Sequence, residues 1–347
     1  MNPSFQRFMA EASRLTRAGN LRGAAAAIQA ALRGAAIPGA SNDTCVIDIQ
    51  AREVEAEATA PMDPVPRTGQ FMAGSHSDAA GTREYKLFVP PGHQGQTLPL
   101  VLMLHGCTQN PDDFAAGTGM NEAALERGFF VLYPAQAQNA NASRCWNWFK
   151  HNHQRRGRGE PALLAGMTRD VMTRYDVDPQ RVFVAGLSAG GAMAAILGDA
   201  YPDLFAAVGV HSGLRTGSAT DIKSAFAAMK GGNVPAGSMG RTPPTIVFHG
   251  DQDTTVHPVN GERVVAASAG AVKPQPERAR SDSGREHTRR IYRDADGRVI
   301  AEHWAVHGAG HAWCGGSPRG SYTDAKGPNA TQEMLRFFFA NEMRPAP

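Results

Sequence analysis

The sequence predicts an α/β protein with a mostly parallel central sheet, helices on both faces and a short N-terminal helical extension. Three observations predict it. The short apolar runs "LPLVLMLHG", "GFFVLYPAQ", "RVFVAG", "AAVGVHSG" and "PTIVFHG" are continuous rather than alternating, as in strands buried on both faces. They alternate with helical stretches, the pattern of crossovers between parallel strands. With 347 residues, 42% hydrophobic and 19% charged, the chain is long enough to bury one large core.

In chain order, residues 4–34 carry apolar groups at helical spacing (Phe5, Phe8, Met9, Leu15, then Ala24, Ile28, Leu32), interrupted at Gly19-Asn20. This predicts a helical hairpin over 1–38; a second copy is not found, so no repeat array is expected. Residues 39–67 mix Ala, Pro and acidic residues without period and read as a linker, leaving 68–347 as the main domain. There "REYKLFVP" alternates like a strand, and "MNEAALERG" is a helix ending at Gly128. Further helices are expected around 161–175 and from 189 to 200. "TRRIYRDADGRVIAEHWAV" reads as a hairpin turning at Asp294-Ala295-Asp296-Gly297, and "ATQEMLRFFFANEM" as a closing amphipathic helix. Residues 214–243 are either a cap over the site or a plain long crossover.

Charge excludes some partners. Thirty-five Lys and Arg against 32 Asp and Glu give a formal +3, too small and dispersed for a nucleic-acid partner, and "RRGR" at 155–158 reads as a solvated loop. No apolar run approaches the ~18–20 residues of a membrane span. The start lacks a compact apolar signal core, and "GAAAAIQAALRGAAIPGA" is broken by Gln29 and Arg33. A cytoplasmic location is therefore the default expectation, with a periplasmic or extracellular one left open. Cys45, Cys107, Cys145 and Cys314 show no metal-ligand spacing, so neither a metal nor a cofactor is expected. One disulfide stays open.

The chemistry centres on "Gly186-Leu187-Ser188-Ala189-Gly190", between an apolar strand and an alanine-rich helix. A serine hydroxyl needs a base to become a nucleophile, and its Oγ must stand clear of the backbone. Small residues two before and two after it suit a sharp strand-to-helix turn, the nucleophile-elbow pattern. The alternative is an ordinary tight turn. In such an arrangement an acid and a histidine should follow, each just past a strand. "PTIVFHGDQDTTVHP" offers Asp253, with Asp251 nearer the strand end as a turn former, and "WAVHGAGHAWCGG" offers His311, with His307 its strongest competitor. His105, His249 and His257 are weaker candidates; the first two precede glycines at strand ends, where an imidazole often holds loop backbone. Backbone N–H groups of Ala189 and, in "HGCTQN", of Cys107 are the expected oxyanion donors, unless Gly106 merely forms a turn. In "SRCWNWF", Trp146 and Trp148 either meet a substrate or pack under the loop, and Trp313 beside His311 joins them as a substrate-contact candidate. Cys145 either bridges to Cys107 or stays a free buried thiol.

Taken together, "LPLVLMLHGCTQNPDDFAAGTGMNEAA", "VLYPAQ", "CWNWF", "RVFVAGLSAGGAMA", "HGDQDTTVHP", "GAGHAWCGG" and "YTDAKGPNATQEMLRFF" resemble the polyhydroxybutyrate depolymerase family of esterases, related to feruloyl and acetylxylan esterases. The resemblance covers roughly residues 68–342. It implies an α/β-hydrolase fold, a Ser188-Asp253-His311 triad, oxyanion donors at Cys107 and Ala189, a Cys107–Cys145 disulfide and a substrate-contacting Trp146. Many relatives carry serine where this chain has Cys314, which makes that thiol a candidate for reactivity or for pairing with Cys45. Secreted polymer-degrading members carry a signal peptide and a separate substrate-binding domain; neither is evident, so a soluble oligomer or simple ester stands beside insoluble polymer as substrate.

The expected function is hydrolysis of poly- or oligo(3-hydroxybutyrate)-type esters through an acyl-enzyme. Feruloyl or acetylxylan ester hydrolysis is the alternative. From another class, the chain could be a catalytically silent hydrolase-fold module that docks through its N-terminal hairpin. The sequence leaves the oligomeric state open.

Overall fold

The structure, a computed structural model, describes residues 68–232 and 242–343. The expected N-terminal hairpin and linker lie outside the described residues, as does Cys45.

A ten-stranded sheet forms the framework, in the order β1-β2-β4-β3-β5-β6-β7-β10-β9-β8. Its centre is parallel: β4 (Phe130–Pro134), β3 (Leu98–Leu104), β5 (Val177–Leu187), β6 (Ala207–His211), β7 (Thr245–Gly250) and β10 (Val299–Val306). Antiparallel strands complete both edges: β1 (Gln70–Asp78) and β2 (Gly81–Val89) on one side, β9 (Glu286–Arg293) and β8 (Gln275–Arg280) on the other.

The continuous apolar runs are explained by two cores. Successive residues of β3 point to opposite faces. Leu100, Leu102 and Leu104 join one cluster with helices α3 (Gly159–Arg174), α4 (Ala189–Ala200) and α6 (Val259–Ala269). Val101 and Met103 join the other with α1 (Pro111–Thr118), α2 (Met120–Arg127) and α7 (Ala330–Phe339). Burying a strand on both faces removes the polar alternation that a one-sided strand would show.

The expected helices at 120–127, 159–174, 189–200 and 330–339 form, as does the hairpin of β9 and β10. At its turn Asp294 Oδ1 accepts from the backbone N–H of Asp296 (3.0 Å) and Arg298 (2.9 Å). Four elements go beyond the sequence expectation. β8 carries no apolar alternation and is exposed throughout. It is an edge strand held by backbone pairing and by Arg278 and Arg280 on Glu286. β1, half polar, is likewise an edge, extending β2. α1 starts at Asn110, whose side chain accepts from the Asp113 N–H at 2.9 Å, with Pro111 in the first turn. α6 is masked by Gly261, which lies against His249, so that a Cβ there would stand 2.8 Å from the His249 Nδ1. In the 214–243 insertion, α5 (Ile222–Met229) forms behind an Asp221 capping box.

The sheet itself locates the site. From β3 the chain moves outward to β4 and then returns to β5 on β3's other side, so the carboxyl ends of β3 and β5 flank the point where winding reverses. Open α/β sheets present their clefts there. No helix among the described residues is long and apolar enough to cross a membrane.

Candidate active site

Ser188 sits in the turn joining β5 to α4, with φ 58° and ψ −118°. A non-glycine residue at positive φ costs energy, which the surroundings must sustain. They do so by close packing: a Cβ on Gly190 would lie 2.0 Å from the Leu104 carbonyl oxygen, and one on Gly186 would lie 2.4 Å from the Gly190 carbonyl. Only glycine lets β3, β5 and the start of α4 meet at this distance. The Ser188 N–H donates to the His211 carbonyl at 2.8 Å, which fixes the turn to the end of β6.

Beside it lies the loop after β3. A Cβ on Gly106 would be 3.6 Å from the Ser188 Cβ. Gly106 is more than a turn residue, because its N–H donates to Gln109 Oε1 at 2.9 Å and so sets the loop's path. Cys107 forms a disulfide with Cys145, and the Thr108 N–H donates to the Ser143 carbonyl at 2.7 Å. The two loops are therefore joined twice. Ala189 opens α4, whose first N–H groups and positive dipole end face the same region.

The His311 Nδ1 lies 2.7 Å from Asp253 Oδ2. Asp253 Oδ1 also accepts the N–H groups of Thr255 (2.9 Å) and Val256 (2.8 Å). Burial alone would raise this carboxyl's pKa; hydrogen bonds to His249 and His311 and the neighbouring His311 charge outweigh it and hold the group well below the usual carboxylate range. Asp251 takes the turn role, accepting from the Gly308 N–H (2.7 Å) and lying 2.9 Å from the His307 Nδ1.

The remaining histidines act on backbone. His105 Nε2 accepts from the Gln136 N–H at 3.1 Å, and burial, the largest influence, lowers its pKa to about 4. His249 Nε2 meets the Val256 carbonyl at 2.8 Å. His257 Nδ1 accepts from the Val259 N–H at 3.2 Å.

The tryptophans correct an expectation. Trp146, Trp148 and Trp313 are all buried, at 0%, 5% and 1% exposure, and offer a substrate almost no surface. Trp146 supports the loop after β3 from beneath, donating its Nε1–H to the His105 carbonyl at 3.1 Å. Trp313 donates to Thr331 Oγ1 at 3.1 Å and stacks on His211. Trp148 packs edge-on against Phe149. An indole buries more area than any other side chain, so packing took all three. The exposed aromatic at this rim is Tyr322, whose hydroxyl lies 3.2 Å from Thr108 Oγ1. Cys314 is a buried core thiol, and burial raises its pKa far above the ordinary range, which disfavours the thiolate.

His211 was missed. Its carbonyl holds Ser188, while its Nε2 accepts the Cys314 N–H at 3.0 Å, so one residue connects the serine turn to the loop carrying His311. Burial, above all, lowers its pKa to about 3, keeping the ring neutral and able to accept. The available signal was "GVHSG", a histidine ending a strand and followed by a glycine turn. Glu160 was missed too; buried on α3, it accepts from Gln136 Nε2 and, at 2.7 Å, from the Asn147 N–H, bracing the loop between the tryptophans. Among the described residues, no group of three or more His, Cys, Asp or Glu could hold a metal ion.

A strained serine at a strand-to-helix turn, with an Asp–His pair beyond later strands of the same parallel sheet, defines an α/β-hydrolase-fold protein. The fold is shared with an acetyl xylan esterase from Aspergillus awamori, at TM-score 0.61 and 19% identity over 78% of this chain and 99% of that one. Residues 83–269, more than half of the chain, match the family described as Esterase PHB depolymerase, and the chain belongs to that family. It is similar to poly(3-hydroxyalkanoate) depolymerase C of Paucimonas lemoignei, 32% identical over 238 residues, 64% of this chain and 56% of the relative. Poly(3-hydroxybutyrate) depolymerase of Ralstonia pickettii is 31% identical over 267 residues, 71% of this chain and 54% of the relative. Acetylxylan esterase A of Talaromyces purpureogenus is 29% identical over 214 residues, 55% and 54% of the two chains. The chain thus spans about half the length of the curated relatives it matches.

Proposed function

We propose that the protein is a serine esterase that hydrolyses carboxylic esters of the hydroxyalkanoate type through an acyl-enzyme on Ser188. The observation that carries this reading is the 2.7 Å contact between His311 Nδ1 and the buried Asp253, with the loop carrying His311 tied through His211 to the Ser188 turn. An ionised Asp253 keeps the proton on Nδ1 and leaves Nε2 free as the base. His311 then takes the Ser188 proton as Oγ attacks the ester carbonyl. The N–H groups of Ala189 and Cys107 receive the oxyanion, and His311 returns the proton to the departing alcohol. Water, activated by the same imidazole, releases the acid and restores Ser188. The disulfide and the Thr108–Ser143 bond support this role by holding the Cys107 N–H in place before substrate arrives.

Hydroxyalkanoate esters are favoured by two relatives at 31% and 32% identity whose names carry that chemistry. Acetylxylan ester hydrolysis is the second reading, favoured by the 29% identical acetylxylan esterase A. Rates on hydroxybutyrate oligomers, methyl ferulate and acetylated xylan separate the two. The mechanism is tested by Ser188→Ala, which should cut kcat on p-nitrophenyl butyrate by about 10⁴-fold or more and abolish fluorophosphonate labelling. Wild-type turnover in that variant would sink the mechanism. An unlabelled wild-type protein would favour a silent binding module.

A further inference from the structure

A groove of about 520 Å³, with polar and apolar lining, opens between β2, the segment after β4 and the far side of the loop after β3. His105 and Gln109, which flank Gly106, form one wall, and amide side chains such as Gln138 and Asn139 line another. Arg144 also lines it. This guanidinium has no hydrogen-bonding or ion-pair partner among the described residues, although the side chain is half-buried. The contrast is Arg83 in the same groove, whose Nε donates to Gln136 at 3.0 Å and whose guanidinium lies 3.7 Å from the buried Glu160. Glu84 shares the groove but is exposed, where solvent and salt screen it.

The Arg144 backbone is held in place. Its φ is 52°, unusual for a residue with a side chain. Both neighbours are anchored to the oxyanion-type loop: the Ser143 carbonyl accepts the Thr108 N–H, and Cys145 is bonded to Cys107. Arg144 is therefore carried on the same rigid unit as the proposed oxyanion donor. Burial is the main influence on the His105 imidazole, and the Arg144 charge acts on it as well, in keeping with a guanidinium directed toward that loop. A half-buried guanidinium with unused donors is suited to a carboxylate, which it can bind through two parallel hydrogen bonds.

We propose that Arg144 anchors a carboxylate of the ester substrate, so that the groove selects acid-terminated oligoesters over neutral ones. The inference rests on the ester-hydrolase reading and names its substrate class. The carboxylate has two sources: the free terminus of a short hydroxyalkanoate oligomer, or a uronate on an acidic glycan. Either would be positioned by a contact remote from the scissile bond, which fixes the distance from the anchored end to the ester that is cleaved.

The test compares 3-hydroxybutyrate trimer as free acid with its methyl ester, and acetylated glucuronoxylan with acetylated neutral xylan, in wild type, Arg144→Gln and Arg144→Lys. The expected result is an acid-over-neutral preference in kcat/KM for one of these pairs. It should fall about tenfold in Arg144→Gln, through KM, and recover in part in Arg144→Lys. The pair that responds identifies the source. An equal preference in wild type and Arg144→Gln on both pairs overturns the proposal. Calorimetric binding of the trimer acid, its methyl ester and glucuronate to the Ser188→Ala protein, with and without Arg144→Gln, decides the matter apart from turnover. Arg144-dependent binding of an acid supports the anchor, and its absence for both acids overturns it. Failure of the wild type to cleave any ester, p-nitrophenyl butyrate included, would instead overturn the proposed function while calorimetry still decides the anchor.

Discussion

Two aspartate–histidine pairs lie side by side between the same two loops, and they differ in what surrounds them. Asp253 and His311 are 2.7 Å apart, with side-chain exposures of 0% and 12%. Asp251 and His307 are 2.9 Å apart, with exposures of 37% and 34%. The bond lengths are nearly the same; the surroundings are not. Asp253 takes two backbone N–H groups and lies 3.4 Å from His249, inside the protein. The outer pair ties the Gly308 turn to the acid loop, and His307 Nε2 reaches Thr288 Oγ1 at 2.9 Å on β9. A charge in dry surroundings acts on its neighbour far more strongly than one in water. The inner pair can therefore stabilise an imidazolium formed during a reaction, while the outer pair serves as a loop clasp.

The largest expected effect sharpens this contrast directly. Asp253→Asn should lower kcat on p-nitrophenyl butyrate by about 10³–10⁴-fold, because the amide favours the wrong imidazole tautomer. Asp251→Asn should lower it by less than about tenfold, an exposed pair contributing little. Equal losses in steady-state kinetics would break the comparison and place the outer pair in the mechanism.

The next effect is on stability in acid. Because the folded protein holds the Asp253 carboxyl below its unfolded value of about 3.9, the stability it contributes is fully present above that pH and is lost as the pH falls through the folded value. Urea unfolding of wild type and Asp253→Asn across a pH series should show a gap that narrows below about pH 4. A gap that widens on acidification would contradict the assignment.

The smallest effect belongs to the clasp. His307→Gln should change unfolding free energy by no more than about 1 kcal/mol and leave kcat/KM within about threefold, read from denaturant melts and ester kinetics. A larger loss of activity than of stability would show that His307 does more than hold the loop.

Much of the fold was legible because its signals are local. The two-sided burial of Leu98–Leu104 is written as a continuous apolar run, the elbow at Ser188 as glycines two residues to either side, and the hairpin turn as Asp294 to Gly297. β8 was not legible, since its pairing with β9 depends on a neighbouring strand and not on its own residues. The roles of Trp146, Trp148 and Trp313 were not legible either: an indole near a site reads the same whether it lines a cleft or supports a loop, and only burial separates the two.

By itself, then, the sequence determined the α/β class, the serine turn and the chain order in which an acid and a histidine must follow. The tertiary structure decided which acid and which histidine lie in dry surroundings, that His211 joins the serine turn to the loop carrying His311, and that Arg144 is left with its side-chain donors unused among the described residues. The physical reason is that secondary structure and turns follow from residue type at short spacing. Burial, hydrogen-bond satisfaction and charge pairing depend on groups brought together from distant parts of the chain.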